Sequence, residues 1–233
     1  MKILVVADEE SKALYDYFDP DRVKDVDLII SCGDLRASYL EFLVTMTSVP
    51  LLYVPGNHDT AYEKDPPQGC ENIDGKVFVY RGIRFFGLGG SMKYHPGPYM
   101  FTEQEMSRRI RLATPGILVH GGFDILVTHA PVRGYGDLED LPHIGYRCFD
   151  TLLEFYRPAY MLHGHVHGSY ISGLKRERQH SGGTTIINAY DRYMLEFDEE
   201  NFKLTENDGL IAQVADYRMR RRQKDEQKKQ EES

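Results

Sequence analysis

The stretch Leu51-Leu52-Tyr53-Val54-Pro55-Gly56-Asn57-His58-Asp59 sets the pattern for the whole chain. Leu51 to Val54 is apolar without alternation, which predicts a short strand buried on both faces. Pro55-Gly56 stops it. A block of polar, chemically able residues follows at once.

The same arrangement recurs outward in both directions. Ile3 to Ala7 is an apolar run ending at Asp8, and Leu28 to Ser31 is one ending at Gly33-Asp34. Downstream, Ile125 to Thr128 leads into His129, and Tyr160 to Leu162 leads into Gly164-His165-Val166-His167. Ser11 to Phe18 reads as a helix ahead of Pro20. Leu40, Leu43 and Val44 give helical spacing to Ala37–Thr47. Strand, helix, strand, helix, strand is the pattern of a parallel sheet.

The middle of the chain reads differently. Lys76 to Tyr80 and Ile83 to Leu88 flank Arg81-Gly82, a hairpin turn. Ser91 to Phe101 reads as a long loop, in which Tyr94 and His95 suit a lid or substrate wall. Thr102 to Leu112 reads as a helix, with Thr102 as N-cap and Glu105 completing a capping box. Leu141 to His143 falls in a loop, and Gly145 to Tyr156 reads as a helix. Ser169 to Ser172, Thr184 to Asn188 and Tyr193 to Phe197 read as closing strands. His143 and His180 read as surface histidines. The expected organisation is one mixed α/β domain over residues 1–215 and a polar, charged tail over 216–233.

Composition narrows the class. With 233 residues, 41% of them hydrophobic and 27% charged, the chain is that of an ordinary globular protein with a sizeable core. Lys plus Arg is 28 and Asp plus Glu 36, a formal net charge of −8, which argues against a nucleic-acid backbone as the main partner. Cys32, Cys70 and Cys148 are far apart and odd in number, so neither a disulfide framework nor a zinc cluster is indicated. Cys32 reads as a small core residue beside the polar blocks. No run approaches the roughly 20 apolar residues of a membrane helix, and the first apolar run is too short for a signal peptide. The expected location is the cytoplasm.

Taken singly, Asp8 is an ordinary strand-end cap, Asp34 a turn residue and His129 a satisfied histidine. Together, at the carboxyl ends of strands that converge in α/β folds, they offer Asp, Asn and His to divalent ions. A carboxylate can bridge two such ions, about 3.5–4 Å apart, and the ions lower the pKa of a shared water. A nearby imidazole can protonate a leaving alkoxide.

Asp8, Gly33-Asp34, Gly56-Asn57-His58-Asp59, His129 and Gly164-His165-Val166-His167, in that order, resemble the calcineurin-like metallophosphoesterase superfamily. The resemblance implies a four-layer α/β/β/α sandwich, two mixed β-sheets flanked by helices. It implies two divalent metals, manganese or iron, with zinc or magnesium as alternatives. Asp34 would bridge them, Asp8 and His167 would complete the first site, and Asn57, His129 and His165 the second. His58 would be the acid at the leaving group, oriented by Asp59. The substrate would be a small phosphate monoester or diester, attacked by a hydroxide held between the metals. One position departs from the pattern. Glu10 stands where the superfamily usually has a metal-binding histidine, so that Asp8-Glu9-Glu10 replaces Asp-x-His; Glu10 is expected as a ligand of the first metal or close behind it. Arg36, two residues after Asp34, is a candidate for substrate binding. A non-catalytic metal-binding scaffold on the same fold and a nuclease are the competing readings.

Overall fold

Along the first strand, Ile3, Val5 and Ala7 face one way and Leu4 and Val6 the other, and all five are buried. Such a strand needs a layer on each side, and the fold supplies both. In the computed structural model, which describes residues 1–168, 175–202 and Tyr217, the elements in chain order begin with β1 (Lys2–Ala7), β2 (Leu28–Ser31), α1 (Ala37–Thr47), β3 (Leu51–Tyr53), β4 (Glu71–Asn72), β5 (Val77–Tyr80) and β6 (Ile83–Leu88). They continue with β7 (Ser91–Met92), β8 (Met100–Phe101), α2 (Glu103–Val119), β9 (Ile125–Thr128), α3 (Arg147–Tyr156), β10 (Tyr160–His163), β11 (Glu177–Gln179), β12 (Thr185–Asn188) and β13 (Asp191–Glu196).

One sheet has the order β13-β1-β2-β3-β4 and the other β11-β12-β10-β9-β6-β5. Both are mixed. β1, β2, β3 and β4 run parallel with β13 antiparallel; β6, β9, β10 and β12 run parallel with β5 and β11 antiparallel at the edges. Ile3, Val5, Ile30 and Leu52 of the first sheet meet Phe85, Ile125, Val127 and Leu162 of the second in one apolar core. The opposite face of the first sheet, with Leu4, Val6 and Ile29, packs on Tyr39, Leu40 and Leu43 of α1. The outer face of the second, with Phe86, Leu126 and Met161, packs on Met106 and Ile117 of α2 and Phe149 and Leu153 of α3. The layers are therefore α/β/β/α.

Several local expectations change. Ser11–Phe18 forms turns, not a helix. Its bonds close at three spacings, Leu14 N–H to Ser11 O, Tyr15 N–H to Ser11 O and Tyr17 N–H to Lys12 O, so no repeating ladder develops. Side chains hold the segment instead: Leu14 is buried, and Tyr15 sits edge-on to Tyr39 and Phe42. The expected loop at 91–101 contains the paired β7 and β8. β4 and β11 have no counterpart in the sequence reading; both are short, charged edge strands, with little apolar signal. α2 continues beyond Leu112, through Pro115 to Val119. His180 is buried rather than exposed. Gly182 N–H donates to its Nδ1, and its Nε2–H donates to Asp150 at 2.8 Å. The strand expected at 169–172 lies outside the described residues, as does the 216–233 tail apart from Tyr217. That residue is helical and half-buried, its ring edge-on to Phe155 at 5.1 Å.

The capping box of α2 forms in full. Thr102 Oγ1 accepts from Glu105 N–H, and Glu105 Oε2 accepts from Thr102 N–H at 2.8 Å. Thr102→Ala is expected to cost about 1 kcal/mol of stability, seen as a lower midpoint in chemical unfolding; an unchanged midpoint would show that tertiary contacts alone fix this helix start.

Candidate metal centre

Each polar block follows the carboxyl end of a parallel strand: Asp8 after β1, Asp34 after β2, Asn57 to Asp59 after β3, His129 after β9 and His165 to His167 after β10. The two sheets deliver them to one place. Asp8, Asp34 and His165 all have left-handed backbones, with φ of 67°, 59° and 70°. Such values are uncommon outside glycine and mark sites where surrounding structure dictates the turn.

The loops approach too closely for side chains between them. A Cβ on Gly33 would lie 2.3 Å from Gly56 N, and one on Gly56 would lie 2.1 Å from Asp34 Oδ1. Asp59 ties these loops together: its Oδ2 accepts from Asp34 N–H at 2.8 Å and from Gly56 N–H at 2.7 Å. Behind them, Gly90 N–H donates to Pro55 O, while Asp74 and Arg109 bind the backbone of Gly89 and each other.

At the centre is His129, fully buried. Its Nδ1–H donates to Cys32 O at 2.8 Å, which turns Nε2 inward. Nε2 lies 2.9 Å from Asn57 Oδ1, 3.1 Å from His165 Nδ1 and 3.3 Å from Asp34 Oδ2. His165 is set the same way, its Nε2–H donating to Pro142 O at 2.7 Å. Carbonyl acceptors thus fix both tautomers and leave Nε2 of His129 and Nδ1 of His165 as facing electron-pair donors, the arrangement metal-binding histidines use. Asp34, His129 and His165 place ligand atoms within 4.8 Å of one another.

Asp8 stands beside this group. Its Oδ1 accepts from His165 N–H at 2.8 Å and lies 3.8 Å from His167 Nε2, while Oδ2 is buried without any hydrogen-bond partner. A buried carboxylate oxygen with no donor is costly unless a cation satisfies it. Asp34 spans both halves: Oδ2 faces His129, and Oδ1 accepts from the His58 N–H.

The electrostatics point the same way. Burial raises Asp8 to about 7, against the pull of His129. Burial and the Asp34 charge raise Asp59 to about 6. Burial also works against the charged form of Asp34, but His129 overrides it and holds that carboxyl well below the usual range. Desolvation would lower His129, yet Asp34 and Asp8 lift it to about 9. Burial, then the His129 charge, drops His165 to about 3. The carboxylates converging on His129 thus favour positive charge at this point of the cluster. Residues of this kind fit a divalent cation, whose binding would displace any proton held there.

Glu10, expected as a ligand of the first metal or close behind it, is paired by the structure with Arg36. Both its carboxylate oxygens are held by Arg36, Nε–H to Oε1 at 2.5 Å and Nη2–H to Oε2. Glu9 turns aside too, accepting from the Tyr190 hydroxyl. His58 is exposed at the rim; Asp59, expected to orient it, acts on the backbone of its neighbours. Sequence patterns give no sign of Pro142 O or Cys32 O as histidine anchors. Nor do they reveal that Tyr190 stacks on His167 at 5.1 Å, or that His143, expected on the surface, packs against the His165 ring at 5.2 Å.

A family model described as calcineurin-like phosphoesterase matches residues 1–169. The chain belongs to the calcineurin-like phosphoesterase family. Among similar proteins, the UPF0046 protein K07C11.7 of Caenorhabditis elegans is 28% identical over 198 residues, 72% of this chain; the chain spans only 63% of that relative's length. The uncharacterized protein MJ1162 of Methanocaldococcus jannaschii is 26% identical over 216 residues, 85% of this chain and 92% of the archaeal one. A crystal structure of TT1561 of Thermus thermophilus superposes with a TM-score of 0.57 at 16% identity, covering 82% of this chain and 89% of the other. That likeness is one of fold. Among the described residues, no helix is long and apolar enough to cross a membrane.

Proposed function

We propose that this calcineurin-like chain is a phosphoesterase dependent on two divalent metals, hydrolysing phosphomonoesters or phosphodiesters. The observation that carries the reading is the convergence of His129 Nε2, His165 Nδ1, Asn57 Oδ1 and Asp34 Oδ2, beside an unpartnered Asp8 oxygen. Asp34 is assigned to both ions, Asp8 and His167 to the first, and Asn57, His129 and His165 to the second. Mixed oxygen and imidazole donors suit manganese or iron, with zinc and magnesium as alternatives. When bound, such ions activate water near neutral pH and offset charge on a phosphoryl group.

The chain's own residues do the rest. The carbonyls of Cys32 and Pro142 keep the two imidazoles aimed inward, and Asp59 keeps the Asp34 and Asn57 loops in register. His58, exposed at the mouth, is assigned to give a proton to the leaving oxygen.

Purified protein loaded with manganese is expected to hydrolyse aryl phosphate mono- or diesters, with activity lost to chelator. His58→Ala should lower turnover about 10²-fold or more, the size of a general-acid contribution, with metal content retained. Absence of hydrolysis across a broad panel by metal-loaded protein overturns the proposal. A second reading, a non-catalytic metal-binding scaffold, is favoured by one observation, the engagement of Glu10 by Arg36. It predicts one bound ion or none and no turnover.

A further inference from the structure

We propose that Glu10 is a positioning residue for Arg36, and that Arg36 binds a second oxyanion of the substrate, remote from the bond that breaks. This deepens the phosphoesterase reading and rests on it.

Glu10 and Arg36 meet fork to fork, two N–H groups on two carboxylate oxygens. Each is fixed at its root. Glu10 follows Asp8 by two residues, and Arg36 follows Asp34 by two, with its carbonyl accepting from Tyr39 N–H at the start of α1. The pair therefore joins the loop after Asp8 to the loop after Asp34.

Its exposure decides what it can touch. The Arg36 side chain is 73% exposed and Glu10 only 18%, whereas His129 and Asp8 side chains are fully buried and Asp34 nearly so. A phosphoryl group held at the buried donors would sit below the surface; Arg36, two residues beyond Asp34, is at the surface, where an exposed part of the substrate could meet it.

Its chemistry decides what it prefers. A guanidinium has five N–H groups in a planar fork. Glu10 uses Nε–H and one Nη2–H, and no partner engages Nη1 among the described residues. Nη1 with the second Nη2–H forms a further edge that matches two oxygens of a phosphate or carboxylate. Because Glu10 already holds the side chain, an incoming anion loses less affinity to ordering it. The neighbouring acids Glu9 and Glu10 would repel such an anion, so Arg36 is the group there able to accept it.

The test compares matched compounds: glycerol 2-phosphate with 2-phosphoglycerate, phenyl phosphate with 4-carboxyphenyl phosphate, and a nucleoside 5′-monophosphate with its 3′,5′-bisphosphate. Kinetics and calorimetric binding are measured on the manganese-loaded full chain, with metal content determined for each variant. The wild type should favour the member with the extra anion about tenfold or more in at least one pair. Arg36→Ala and Arg36→Lys should bring that ratio near one, mainly through KM, and Glu10→Gln should reduce it while keeping the metal content of wild type. The proposal falls if no pair is discriminated, if Arg36→Ala leaves the ratio intact, or if Glu10→Gln sheds a metal that Arg36→Ala retains. Discrimination in binding without any turnover would sustain the Arg36 assignment and overturn the hydrolase reading instead.

Discussion

Asp34→Asn is expected to lower kcat/KM about 10³-fold or more, by removing charge stabilisation at the centre of the site, while leaving the protein folded. Asparagine tolerates a left-handed backbone about as well as aspartate does, so the φ of 59° is no obstacle. What changes is the pair of oxygens. In the native chain one accepts from the His58 N–H and the other faces His129 Nε2. An amide offers a single oxygen: either its NH2 meets the His58 N–H, donor against donor, or it meets the imidazole in place of an anion. The charge that lifts His129 disappears with the carboxylate. Initial rates, metal analysis and a melting curve on one preparation check the prediction. A variant that keeps more than a tenth of native activity would remove Asp34 from the bridging role.

The largest loss of stability is expected at Gly33. With φ at +93° and a hypothetical Cβ only 2.3 Å from Gly56 N and 2.7 Å from Gly56 Cα, an alanine presses backbone against backbone. Nothing there can rotate away. The β2 and β3 loops must part, and the two N–H bonds gathered by Asp59 Oδ2 part with them. Gly33→Ala should cost about 3 kcal/mol or more, combining strain with broken buried bonds. Gly82 supplies the control: its φ is +84°, yet nothing lies within 4 Å of an added Cβ in that hairpin turn. Gly82→Ala should cost only about 1–2 kcal/mol from backbone conformation. Equal midpoints in denaturant for the two variants would mean that loop contact is not the constraint.

The sequence-derived expectations hold where residue type is tied to geometry. Double-sided apolar runs mark β1, β2, β3 and β9 closely, because a strand buried on both faces is mostly apolar, with the polar Ser31 and Thr128 only at the last positions of β2 and β9. The Asp-Asn-His blocks are brought together because parallel strands open their loops at one end. Ser11–Phe18 misleads because Leu14 and Phe18 are spaced as on a helix, yet they are used to anchor turns against α1. Glu71–Asn72 and Glu177–Gln179 are silent because an edge strand is specified by its partner's free backbone rather than by its own side chains. In the site, the anchoring carbonyls of Cys32 and Pro142 are invisible, since a carbonyl carries no residue type. Nearness to Asp8 suggests a ligand role for Glu10, but its partner lies 26 residues further along the chain.

The left-handed backbones at Asp8, Asp34 and His165 have a consequence for how such a protein can change over generations. At each position glycine would relieve conformational strain of roughly 1 kcal/mol or more while deleting a side chain proposed to hold metal. Mutations that would abolish the proposed chemistry therefore also include some that ease the backbone, and selection for mere persistence of the fold would not oppose them. A lineage released from its substrate should drift quickly toward a sturdier, inert scaffold. Recovery would be slower, because the first step back restores strain before any partner residue is present to make it useful.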